Sequence, residues 1–311
     1  MDSSVDLQVA STSSSNGKDK ADDSKKVVSP KKIYFTGPYR RQEWSLPDSI
    51  IYYMAMNPKS AKVYQKLVKS CKYFYIKNPI LVASRLFYDN NKWQLLSSKE
   101  TIDMVNVTQK IWITDVFDAT HYASINQNIV SSVISNIYKC DAKLVFLRDQ
   151  VISFNNFCFL ASNVEEINFD NTIVKDENGS SLEFEKLFLI LSKVQSVSFS
   201  FSNTTGCNIS SETFNELSKI PHFPKLEFFS FSKVPEAFDL NSFCEYVKKN
   251  KLTFFVLNFD DSISGAYENR LKEIIDEILA AKELDYKTPY IYFPGIDYQK
   301  YLKLRRICFN Y

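Results

Sequence analysis

An α/β solenoid of parallel strands and return helices is predicted by two features of this chain. A short pattern, apolar at its first, fourth and sixth places, occurs as Val164/Ile167/Phe169, Val194/Val197/Phe199, Leu226/Phe229/Phe231 and Leu252/Phe255/Leu257. The starts lie 30, 32 and 26 residues apart, the range in which one strand and one return helix make a stackable unit. Between these segments the apolar spacing changes from that of a strand to that of a helix. One such unit cannot bury its apolar face, so neighbours must stack, and the stack offers a long sheet surface. That favours binding over chemistry.

Residues 1–33 hold Ser, Asp and Lys with almost nothing large and apolar, so a disordered tail is expected there. From Trp44 the texture changes. Ser45-Leu46-Pro47-Asp48 opens a short helix carrying Ile50, Ile51 and Met54, with Pro47 suited to a first helical turn, and Asn57-Pro58 breaks it. Val63, Leu67, Cys71 and Phe74 mark one face of a second helix, which Asn78-Pro79 stops. Residues 34–84 thus read as a small helical module. Residues 85–106 join it to the stack, with Asp89-Asn90-Asn91 a turn signal.

The stack is assigned to residues 85–311. Thr108/Ile111/Ile113 and Ala142/Val145/Leu147 fit the strand pattern, and Ile291/Phe293 fits its last two places, so about seven strands are expected. Return-helix faces follow from Ile125/Ile129/Val133/Ile137, Phe184/Leu187/Phe188/Leu191 and Phe214/Leu217/Ile220. Leu240/Phe243/Cys244/Val247 has Asp239 placed to cap it and Asn250 to end it. Tyr267/Leu271/Ile274/Ile275/Ile278 completes the set.

The series Leu46-Pro47, Ile50-Ile51, Met54, Asn57-Pro58, Leu67-Val68, Ser70-Cys71, Phe74 and Asn78-Pro79 resembles an F-box. The chain as a whole resembles the expanded nematode family of F-box-like proteins with C-terminal repeats. It differs from that pattern at Ser49, where an acidic residue is usual, and at Tyr73, Phe74 and Tyr75, where a Trp often stands. The resemblance implies docking on a Skp-family adaptor, and so on a cullin-type ubiquitin ligase, through Leu46, Pro47, Ile50, Ile51, Met54, Val63 and Leu67. The remainder would select an unknown protein substrate. The stack itself resembles leucine-rich repeats in general. Their ninth place, usually Asn or Cys, is held here by Thr172, Ser202, Val234 and Asp260, so irregular turns are expected.

Residues between the core places face the other side of the sheet. Trp112, Phe146, Arg148, Glu166, Asn168, Phe228 and Phe254 there have the composition that interface hot spots favour, and they are the expected substrate contacts. The alternative is that the N-terminal module covers the early strands on both faces.

No catalytic site is expected. The chain has 2 histidines, His121 and His222, neither with a sequence-local Ser or Cys partner. The carboxylate pairs Asp260-Asp261 and Glu165-Glu166 are adjacent strand residues whose side chains point apart. The 6 cysteines, at 71, 140, 158, 207, 244 and 308, form no C-x-x-C pair and read as buried thiols rather than zinc ligands. With 6 glycines there is little material for phosphate-cradling loops. No metal or cofactor is expected. A net charge of +2 gives no case for a nucleic acid or an anionic membrane as partner. No apolar run approaches the ~20 residues that span a bilayer. A soluble intracellular protein, cytoplasmic or nuclear, is expected.

Overall fold

Three short helices open the described chain, which in this computed structural model comprises residues 43–120, 126–200, 212–281 and 283–309. They are α1 (Asp48–Met56), α2 (Ala61–Ser70) and α3 (Lys72–Lys77). The helix expected over Val63 to Phe74 is divided at Cys71, whose backbone is extended and whose thiol accepts from the Tyr73 amide. Ile51, Ala55 and Phe74 make a small core of their own. The tail expected over 1–33, and residues 34–42 of the module, lie outside the described residues.

β1 (Ile80–Asp89), β2 (Lys92–Ser97) and β3 (Glu100–Asp103) form an antiparallel meander. Asn90 and Asn91 take positive φ at its first turn, where the Asp89-Asn90-Asn91 signal lies. The boundary drawn at 84/85 therefore falls inside a strand, and module and sheet are joined by continuous β-structure rather than a linker.

The chain continues through β4 (Lys110–Ala119), α4 (Ile129–Ile134), β5 (Ile137–Cys140), β6 (Leu144–Arg148), β7 (Val151–Ser153) and α5 (Phe154–Ala161). Next come β8 (Glu166–Asp170), β9 (Ile173–Lys175), α6 (Phe184–Ile190), β10 (Ser196–Ser200) and α7 (Thr213–Lys219). It ends with β11 (Phe228–Val234), α8 (Leu240–Lys249), β12 (Phe254–Phe259), α9 (Gly265–Ala280), β13 (Tyr290–Tyr292) and α10 (Tyr298–Phe309). The large sheet has the order β13-β12-β11-β10-β8-β6-β4-β1-β2-β3, with β5 also on β4. It is parallel from β1 through β13 and antiparallel only at the β1-β2-β3 end. The path does not return on itself, so the sheet is not a closed barrel. β7 and β9 pair as a separate parallel ribbon.

The recurring apolar pattern is the register of this sheet. Val145, Ile167, Val197, Phe229 and Phe255 stand opposite one another across β6, β8, β10, β11 and β12. Leu147, Phe169, Phe199, Phe231, Leu257 and Ile291 form the next row. All of them are buried, in one core with the apolar faces of α4 to α9.

Four local expectations are corrected. Ile111 and Ile113 are buried but pair with Ile137 and Cys140 of β5, and it is Phe117 and Ala119 that stand opposite Val145 and Leu147. The cause is the ten-residue length of β4, whose first half pairs with β5 and second half with β6. Thr108 is exposed and precedes the strand. Ile137 belongs to β5 rather than continuing α4; Ile125 is outside the described residues. Leu252 is 47% exposed, because Asn250 Oδ1 accepts from the Leu252 and Thr253 amides and the resulting turn buries Thr253, whose hydroxyl donates to Leu226 O at 2.7 Å.

The sequence predicts irregular turns; the described turns at the ends of β6, β8 and β11 share one feature, while the β11–β12 register shifts between Ser232 and Val234. Asp149, Asn171 and Lys233, at one register position along β6, β8 and β11, all adopt positive φ, and Asn171 Nδ2 donates to Asp149 Oδ1. The residue after Asp149 is the buried Gln150, whose amide nitrogen donates to the carbonyls of Asn126 (3.2 Å), Arg148 (3.1 Å) and Asp149 (3.1 Å). Its Oε1 accepts from the Val130 amide. Gln150 stands at the ninth place of the segment that begins at Ala142 and satisfies turning backbone there. Ser202 is outside the described residues.

At α8, Asp239 accepts from the amides of Asn241 (2.9 Å) and Ser242 (3.3 Å) and from the Ser242 hydroxyl (2.6 Å), and Asn250 ends the helix. The bond from the Ser242 hydroxyl does most to hold the Asp239 carboxyl below its ordinary 3.8. Stability from a depressed carboxyl is complete above the ordinary value and is lost as pH falls through the lower folded-state value. Asp239→Ala is expected to lower stability by about 1 kcal/mol at pH 7. The gap from wild type should close as acid protonates the cap; urea titrations at neutral pH and below pH 3.8 that show an unchanged gap would refute this origin.

Candidate functional site

The sheet face opposite the core is built by the alternation of strand side chains, and the register sorts those residues into rows. One row runs Arg85, Val116, Leu144, Glu166, Ser196, Phe228 and Phe254. A second runs Phe87, Asp118, Phe146, Asn168, Ser198, Ser230, Val256 and Tyr290. A third holds Arg148, Asp170, Ser200, Ser232, Asn258 and Tyr292. From β6 to β12 these residues are half-buried, and Phe146, Phe228, Phe254 and Val256 belong to no buried apolar cluster of the described residues.

The face changes character across the strands. Around β4 and β6 it carries ion pairs: Arg85 with Asp118, and Arg148 Nε with Asp170 Oδ2 at 2.6 Å. The Arg85 guanidinium lies 5.0 Å from the centre of the Phe87 ring. Next to β8 the row positions of β10, and two of those of β11, are serines. Beyond them aromatic rings take over. Phe228 lies 6.1 Å from Phe254, and Phe309 of α10 lies 5.5 Å from Phe254 and 5.4 Å from Tyr290. Burial, and then the hydrogen bond with Tyr301, raise the Tyr290 hydroxyl above its ordinary range.

Of the expected substrate contacts, Phe146, Arg148, Glu166, Asn168, Phe228 and Phe254 are brought onto this common face. Trp112 is not available to a partner. It is fully buried with Tyr64 and Ile80, its ring 5.5 Å from Tyr138 and its Nε1 donating to Asp141 Oδ2 at 2.7 Å. At this strand the helical module covers the sheet, which was the alternative in the sequence. Arg85, Asp118, Ser232, Asn258, Tyr290 and Tyr292 were missed there; pairing β6 and β12 with their neighbours at the same alternation would have placed them.

The helical module is fastened to the sheet by Tyr64. Its hydroxyl donates to Asn78 O (2.8 Å) and accepts from the Ile80 amide (2.9 Å), and burial raises its pKa. Tyr138 adds a bond to Met56 O at 3.3 Å and Asn78 Nδ2 one to Ala55 O at 3.0 Å. The inward faces of α1 to α3 are thereby occupied. Of the residues expected to meet an adaptor, Leu46, Ile50 and Val63 are 47%, 46% and 42% exposed, Pro47 is exposed, and Met54 and Leu67 are half-buried. Ile51 is buried in the module's own core and is corrected from a contact to a packing residue.

The residues weighed for chemistry fall into structural settings. His222 Nε2 bonds Phe188 O at 2.6 Å, tying the turn before β11 to α6. Glu165 pairs with Lys143 at 2.7 Å just before the starts of β8 and β6, apart from Glu166. Asp260 Oδ1 accepts from the Ser262 amide at 3.0 Å, and its bonds with Ser262 lower its pKa. Cys140 is buried and pushed up to about 11 by desolvation. Cys71, Cys158, Cys244 and Cys308 are half-buried rather than buried. His121 and Cys207 lie outside the described residues. Among the described residues no cluster of three or more His, Cys, Asp or Glu could hold a metal ion, and no helix is long and apolar enough to cross a membrane. Neither a scan against protein-family models nor a search of curated proteins finds a match to this chain.

Because Trp112 belongs to the structure and Phe146 to the open face, the two should behave differently. Trp112→Ala is expected to cost about 3–5 kcal/mol and Phe146→Ala about 1 kcal/mol or less. Urea denaturation showing equal losses would mean that the face around Phe146 is packed.

Proposed function

We propose that this protein is a non-catalytic substrate receptor of a Skp/cullin-type ubiquitin ligase. In this reading the α1–α3 module is a degenerate F-box of the nematode F-box-like family and docks on the adaptor. The stack is a leucine-rich-repeat-like solenoid whose open sheet face takes the target protein.

The observation that carries the adaptor half is the exposure of Leu46, just before α1, and of Ile50 and Val63 on helices whose opposite sides are already engaged. Apolar side chains that the core does not use, gathered on one short module, are what an apolar helical interface consumes on binding. Tyr52, Tyr53 and Ile76 extend the exposed set. The target half is supported by the sheet face, where half-buried rings and paired charges lie outside every buried cluster. The Tyr64 and Trp112 anchor holds the module directly against the sheet, so a target on the face would be presented at a fixed place relative to an adaptor. A fixed spacing between adaptor and target supports the receptor reading.

Capture of a purified Skp-family adaptor by the full chain tests the reading. Wild type is expected to retain the adaptor, and Leu46→Asp with Ile50→Asp to lose it without loss of stability, since both positions face solvent. Ile51→Asp would instead unfold the module and is unsuitable. Absence of capture by wild type would leave an interaction scaffold with no ligase attached.

A further inference from the structure

We infer that the sheet face selects a polypeptide that presents a basic side chain, Arg or Lys, to a notch on β10 between Glu166 and Phe228. The inference rests on the reading of this face as the target-binding surface.

The notch follows from side-chain size. Parallel strands lie about 4.8 Å apart, and in register each face residue of β10 is flanked by one from β8 and one from β11. Ser196, Ser198 and Ser200 are the smallest occupants between Glu166, Asn168 and Asp170 on one side and Phe228 on the other. Ser230 and Ser232 widen the depression on the β11 side. Three short hydroxyl side chains therefore form a floor that neighbouring side chains overtop. The floor can both accept and donate hydrogen bonds.

The walls state the charge of the occupant. Asp170 is neutralised by Arg148 at 2.6 Å, and Asp118 by Arg85. Glu166 has no counterpart: among the described residues it takes part in no ion pair and no side-chain hydrogen bond. It is half-buried between Leu144 and Ser196, where water screens a carboxylate less than at an exposed site. Opposite it stands the ring of Phe228, tilted against Phe254 with the ring centres 6.1 Å apart. A carboxylate on one wall and an aromatic ring on the other, across a polar floor, suit a cation on an aliphatic stem. The stem lies along the serines, the cation meets Glu166, and the ring adds cation–π attraction. An acidic side chain placed there would face an unpaired carboxylate, and a purely apolar one would bury that carboxylate without a partner.

The test is a selection of displayed random peptides about twelve residues long on the immobilised full chain. Affinities of the enriched peptides would then be measured by fluorescence polarisation against wild type, Glu166→Gln and Ser198→Tyr. The expected peptides share an Arg or Lys. Glu166→Gln, Ser198→Tyr, and replacement of that basic residue by Met should each weaken binding about tenfold or more. Combining Glu166→Gln with the Met peptide should cost little beyond either change alone, the mark of a direct pair. Enriched peptides without a shared basic residue, or with affinity indifferent to Glu166→Gln, would overturn the inference and leave the face as a binding surface. Failure to enrich any peptide would overturn both the inference and the target-binding reading of the face, while adaptor capture reports on the α1–α3 module separately.

Discussion

The structure depends on stacking the fourth- and sixth-place residues of each strand directly on those of the next. Parallel strands with identical spacing can be placed side by side only if their buried pairs coincide, because a slip of one residue exchanges the two faces of a strand. Here a slip of β10 would expose Val197 and Phe199 and bury Ser196, Ser198 and Ser200. The rings make the alignment specific as well as apolar. Phe169 meets Phe199 edge-on at 5.0 Å, Phe199 meets Phe184 of α6 at 4.5 Å, and Phe184 meets Phe231 at 5.1 Å. Strand register and helix placement are thus held by the same side chains.

β4 is where this repeating order is joined to something different. It is long enough to pair with β5 over one half and β6 over the other, and its Trp112 is the surface on which the helical module sits. A buried indole whose Nε1 is satisfied by Asp141 supplies a large apolar area without leaving an unpaired donor. The hydroxyl of Tyr64 meanwhile satisfies the Asn78 carbonyl and the Ile80 amide, backbone groups at the point where helix gives way to strand. The junction is stiff because its polar groups are satisfied within it.

What could be read in the sequence divides along the same line. β6, β8, β10, β11, β12 and β13 and the faces of α6 to α9 were legible, since each repeats a pattern imposed by its neighbours. The Asp239 cap was legible because its partners are local. The β1–β3 meander was not: the register of β1 shifts between Ala83 and Arg85, which interrupts the alternation that marks a strand. α5 was not legible because Phe157, Cys158, Phe159, Leu160 and Ala161 are apolar without a break, so no helical period stands out. α10 buries Leu304 alone, so it has no apolar stripe. The exposure of Leu46 and Ile50 against the burial of Ile51, and the covering of Trp112, are tertiary facts; neither residue spacing nor composition carries them.

The open face inherits its order from the core behind it. Since the register is fixed by buried rings, a face residue cannot move along its strand without dislodging its buried neighbours, and Arg148 is kept opposite Asp170 for the same reason that Leu147 is kept opposite Phe169. Side chains that loops would have to hold at an entropic cost are here held by a sheet whose own packing has already met it. The sequence from ion pairs through serines to aromatic rings is therefore held in one arrangement by the core behind it. Substitutions in the core that tilt a strand would then shift the face residues relative to one another without touching any of them.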